Sequence, residues 1–179
     1  MPHLRYLHPN GGTKPVRSPL LRDSCSTILG SQILLMSMGL REAYDDIDGI
    51  AVHGEYMFIS GTRLDRLSGL RDVLDDVTFL PLRKAYNTQR YQQALAALKR
   101  SNGRIKYLVG HSLGGAVAAA LTERFPELEA RVYGAPLLRS STSVRVKSFR
   151  HQYDPISMLD RGAAVSRAPG RNPHTYKGY

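Results

Sequence analysis

The chain has 179 residues, 42% of them hydrophobic, a formal net charge of +10 and one cysteine. Its length suits one domain with a full core; lone Cys25 excludes an internal disulfide framework, and no apolar run nears the ~18 residues a bilayer span requires. The positive field would attract anionic membrane surfaces or nucleic acid, yet the chain shows no zinc-finger spacing, helix-turn-helix pattern or aromatic RNA-binding signature, so nucleic acid is not the expected partner.

Residues 1–22 hold four prolines, two adjacent glycines and scattered basic residues, and are expected to form a basic N-terminal arm. They contain no apolar signal-peptide core, which points to an intracellular or virion-associated protein. Residues 23–179 are expected to form a single domain. Asp23 or Ser24 can cap a helix running to about Arg41. Gly49–His53 and Tyr56–Ser60 read as strands joined by a Gly54-Glu55 hairpin turn. From Arg63 to Asp76 charges alternate with Leu64, Leu67, Leu70, Val73 and Leu74, one apolar stripe at helical period. Thr88 to Arg100 is a second amphipathic helix, stopped by Asn102-Gly103.

Ile105 to Val109 is a strand that runs through Gly110-His111-Ser112-Leu113-Gly114-Gly115 into an alanine-rich helix ending near Phe125. Strand, sharp turn and helix in that order are the ingredients of a nucleophile elbow. Ser112 at the apex needs a strained backbone, while Gly110 and Gly114 lack the Cβ atoms that would clash across the turn. The helix then directs its first N–H groups at any oxyanion forming beside the serine. Ala130–Tyr133 and Val144–Tyr153 are further strands, and the rest reads as loop. Strands alternating with helices predict a mostly parallel sheet flanked by helices.

A serine hydroxyl is a weak nucleophile until a histidine takes its proton and a carboxylate stabilises the resulting imidazolium. Behind an elbow of this kind the order is serine, acid, histidine. His174, in a loop near the C-terminus, fits the base, whereas His151 lies inside a strand and reads as structural. Asp154 follows Phe149–Tyr153 and precedes Pro155, at the carboxyl end of a strand where open α/β sheets place their sites. Asp160 is the alternative acid. The backbone N–H of Leu113 supplies one oxyanion donor, and the Ser60-Gly61-Thr62 loop supplies the other.

The ordered blocks Met57–Thr62, Gly69–Asp76, Val109–Ala116, Val132–Pro136, Tyr153–Ile156 and His174–Tyr176 resemble those of the class 3 (fungal-type triacylglycerol) lipases over roughly residues 45–179. The resemblance implies an α/β-hydrolase fold, a Ser112–Asp154–His174 triad, and Thr62 with Leu113 as oxyanion donors. It also implies that the stripe of Leu64, Leu67, Leu70, Val73 and Leu74 belongs to a short lid helix; simple packing on the core is the plainer reading. Ser60 stands where the family commonly has arginine, a departure that bears on the support of the oxyanion loop; only five residues follow His174, so a shallow, open pocket is expected. The expected activity is hydrolysis of lipid carboxylic esters through an acyl-enzyme, by a triacylglycerol lipase or a phospholipase A1-like enzyme, with no metal or organic cofactor. The alternative is a non-catalytic lipase-fold protein, virion- or membrane-associated, that binds anionic lipid or nucleic acid through its basic surface.

Overall fold

The computed structural model describes residues 19–62, 85–138 and 144–178. Helix α1 (Pro19–Asp45) precedes strands β1 (Ile50–His53) and β2 (Tyr56–Ile59). There follow α2 (Gln89–Arg100), β3 (Tyr107–His111), α3 (Leu113–Arg124), β4 (Glu129–Tyr133), β5 (Val146–His151) and β6 (Ala164–Ser166). The six strands form one sheet in chain order, β1 antiparallel to β2 and all other neighbours parallel. This is the mostly parallel, helix-flanked sheet expected from the sequence.

Parallel neighbours joined in steady order place right-handed crossovers on one face. That face carries α2 and α3, whose Tyr91, Ala94, Leu95, Ala116, Val117 and Ala120 pack on Met57, Ile59, Leu108, Ala130 and Val132. The alternating residues of the same strands point the other way. There Phe58, Val109 and Tyr133 meet Met36, Leu40 and Ala43 of α1.

Several boundaries differ from expectation. Helix α1 starts at Pro19 rather than Asp23 or Ser24, so residues 19–22 of the expected arm are helical. Proline is well tolerated in a first helical turn, where its missing N–H has no partner to lose. The helix also runs past Arg41 to Asp45, which brings Tyr44 onto it. Strand β5 stops at His151, and Tyr153 turns the chain with a φ of 66° before Asp154. The three-residue β6 falls in the stretch read as loop.

Candidate active site

The carboxyl ends of β2, β3, β4 and β5 converge on one edge of the sheet, and each delivers a part of the site. At the end of β3, Ser112 adopts φ 53°, ψ −126°, a region that costs an L-residue of order 1–3 kcal/mol unless its surroundings impose it. The surroundings do so. Its N–H donates to the Tyr133 carbonyl at 3.0 Å, and its own carbonyl accepts from Gly115 at 2.9 Å. A Cβ on Gly110 would lie 2.4 Å from the Gly114 carbonyl oxygen, and one on Gly114 would lie 2.2 Å from that of Ile59. Only glycine fits either position, as the turn requires.

Asp154 is fully buried and His174 nearly so, with His174 Nδ1 at 3.1 and 3.2 Å from the two carboxylate oxygens. Asp154 also accepts the Ile156 N–H at 3.0 Å and the Ser157 hydroxyl, so the carboxylate is held from three sides. The His174 N–H donates to Asn172 Oδ1 at 2.9 Å, which fixes the loop carrying the ring. Gly134, at φ 54°, leaves room for the pair: a Cβ there would lie 3.1 Å from Asp154 Oδ2 and 3.3 Å from His174 Nδ1. Because Gly134 follows Tyr133, the acid–histidine pair stands beside the turn that holds Ser112. No hydrogen bond joins Ser112 Oγ to the His174 ring among the described residues, and such bonds often tighten only when substrate is bound.

The competing candidates are occupied elsewhere. His151 is fully buried, its Nδ1 2.8 Å from the Ser166 hydroxyl and its Nε2 2.9 Å from the Lys177 carbonyl. A carbonyl only accepts, so Nε2 carries a proton, and Nδ1 is occupied by the serine hydroxyl. Asp160 accepts from Ser148 and from the Gly162 N–H. Leu113 opens α3, where first-turn N–H groups have no acceptor within the helix. Thr62 is half-buried directly after Gly61, which packs against Ser112. Ser60 is buried, and its N–H and hydroxyl both donate to the Gly49 carbonyl, tying the end of β2 to the turn before β1. The stretch with Leu64, Leu67, Leu70, Val73 and Leu74 lies outside the described residues.

Sequence reasoning missed two aromatic groups around the pair. Tyr44 reaches His111 and Gly61 from α1, and its ring stacks on Tyr176 at 5.6 Å. His111 itself stands 4.8 Å, centre to centre, from the His174 ring. Burial, then the nearby His174 and His151, hold the His111 pKa well below its ordinary value, so this ring is neutral. Tyr44 carried no sequence signal, lying just beyond the expected end of the helix at Arg41.

Among the described residues no group of three or more His, Cys, Asp or Glu side chains is arranged to hold a metal ion, and no helix is long and apolar enough to cross a membrane. A family model described as the alpha/beta hydrolase family matches residues 48–178. No curated protein and no solved structure matches the chain.

Proposed function

The chain belongs to the alpha/beta hydrolase family, and on that premise we propose that it is a serine hydrolase of lipid carboxylic esters, with Ser112 as nucleophile, His174 as base and Asp154 as its orienting acid. The observation that carries this reading is the buried Asp154–His174 pair standing beside a serine in a strained turn at a helix start. With Nδ1 committed to Asp154, the proton of neutral His174 sits there and Nε2 is left to take the proton of Ser112. The alkoxide attacks the ester carbonyl, and the backbone N–H groups of Leu113 and Thr62 receive the tetrahedral oxyanion. His174 returns its proton to the departing alcohol. Water, activated by the same ring, then releases the acyl group from Ser112.

Lipid as the substrate class rests on the likeness to class 3 lipases and on the basic surface, which favours peripheral contact with anionic bilayers. Phospholipase A1-like cleavage and acylglycerol hydrolysis both follow from this chemistry. The test compares wild type and Ser112→Ala on nitrophenyl esters of short and long acyl chains and on labelled phospholipid vesicles. We expect Ser112→Ala to lose ~10⁴-fold or more in turnover. Equal residual rates in the two proteins would end the enzyme reading, and salt-sensitive DNA retention without esterase activity would favour a binding protein instead.

A further inference from the structure

The carboxyl ends of β5 and β6 open onto a recess of about 420 Å³ that the chemistry above does not use. Gln152 and Tyr153 line it from the turn after β5, and Arg167, Arg171 and Pro173 from the loop after β6. The two segments are tied where they leave the sheet, the Gln152 N–H donating to the Ser166 carbonyl at 2.7 Å. Each also leads straight to the candidate triad: Tyr153 immediately precedes Asp154, and Pro173 immediately precedes His174. Along this edge of the sheet Ser112 follows β3, Asp154 follows β5, and the recess lies at β5 and β6. Two to three strand spacings of about 4.8 Å therefore separate it from the serine turn, roughly 10–15 Å. One phospholipid covers that span between its acyl ester and its headgroup, given the reach of an arginine side chain.

The lining has the chemistry of an anion site. Arg167 and Arg171 are exposed, neither is in an ion pair among the described residues, and no carboxylate lines the recess. A guanidinium presents paired N–H donors that match two oxygens of a phosphate. The same recess also has an apolar side. Tyr153 is 82% exposed and stands at φ 66°, in the left-handed region that residues other than glycine seldom adopt. Leu138 in the loop after β4, and Met158 and Leu159 in the segment after Asp154, are exposed as well. Cations beside water-facing apolar side chains suit a molecule with a phosphate at one end and hydrocarbon at the other, rather than a bare anion.

We propose that this recess binds the phosphate of a phospholipid, and that Arg167 and Arg171 thereby select phospholipid over neutral acylglycerol as the substrate of the adjoining site. A phosphate held at β5 and β6 leaves the acyl ester free to extend toward Ser112. An acylglycerol has no charged group for the arginines to hold. Substrate selection rests on the serine-hydrolase reading above, whereas phosphate binding does not.

Binding and selection are read separately. Arginine side-chain NMR of ¹⁵N-labelled Ser112→Ala protein, titrated with monomeric dihexanoyl phosphatidylglycerol, should shift the Arg167 and Arg171 signals, assigned from Arg167→Gln and Arg171→Gln spectra. The ratio of kcat/KM on that lipid to kcat/KM on nitrophenyl butyrate should fall about tenfold in each single variant, mainly through KM. Gly170→Asp gives an independent route, because a Cβ there meets nothing within 4 Å and the new carboxylate enters the rim of the recess without a clash. The same ratio should fall at least as far. Silent arginine signals, or a ratio unchanged in all three variants, would overturn the proposal. Equal affinity for inorganic phosphate and for the lipid would mark a free-anion site, and tighter binding of a single-stranded oligonucleotide would assign the recess to nucleic acid; either result overturns it too. If wild type and Ser112→Ala hydrolyse esters equally, the hydrolase reading falls and the arginine signals alone decide whether the recess takes a lipid phosphate.

Discussion

Single side chains carry most of what was legible in advance. A serine, an acid and a histidine could be singled out because their chain order is constrained and few candidates follow Ser112. His151 already read as structural from its place in a strand, and the structure gives it and Asp160 partners of their own at Ser166, Lys177, Ser148 and Gly162. His111 drew no reading from the sequence, yet it is a buried ring beside His174. Its burial has a thermodynamic signature. The folded-state pKa of His111 lies below its ordinary value of 6.5, so between the two the unfolded chain binds a proton that the folded chain refuses. Stability contributed this way is present above pH 6.5 and is lost as pH falls, by up to about 1.4 kcal/mol per unit across that window. Urea unfolding at a series of pH values should show a shallower acid slope for His111→Leu than for wild type. Identical slopes would mean that the ring titrates normally when folded.

At the level of elements, local pattern found the hairpin, the elbow and α2, but misjudged α1 and overlooked β6. Periodicity locates a helix better than its ends. Nothing in Arg41 to Asp45 signals that the helix continues until Tyr44 docks on His111 and Gly61. Strand β6 is three residues long and, among the described residues, pairs along β5 alone, so its order comes from the neighbouring strand rather than from its own sequence. The alanine run of α3 read as helix propensity alone. In the fold it is a spacing device: Ala116, Ala118, Ala119 and Ala120 are all buried, with short side chains that let the helix settle close to the sheet. Enlarging one should therefore harm rather than help. Ala118→Leu adds volume where none is free and should cost about 1–3 kcal/mol in a chemical denaturation curve, despite leucine's good helix propensity. An unchanged midpoint would indicate slack beneath α3.

For the whole molecule, composition forecast one domain's worth of core, the alternation of strands and helices forecast a mostly parallel sheet, and the α/β-hydrolase fold came from the resemblance of the ordered sequence blocks. What composition could not supply was which elements share a face. That follows from strand order, which sends α2 and α3 to one side and leaves α1 to cover the other. The net charge of +10 is likewise a property of the whole chain. If the basic surface serves peripheral membrane contact, Ser112→Ala protein should co-sediment with vesicles containing phosphatidylserine and release as ionic strength rises from about 0.05 to 0.5 M. Neutral phosphatidylcholine vesicles should retain far less. Equal retention on both would remove charge as the cause.

Strands that lie side by side in the order of translation also set a timetable. A nascent chain emerging from the ribosome can add each strand to an existing edge, with the serine's turn in place once β3 and β4 have paired. Asp154 follows β5 and His174 follows β6, so both come later in the chain than the turn that holds Ser112. If the triad proposed above holds, a tethered, half-made copy would carry the Ser112 hydroxyl without its histidine and stay inert until residue 174 has been added.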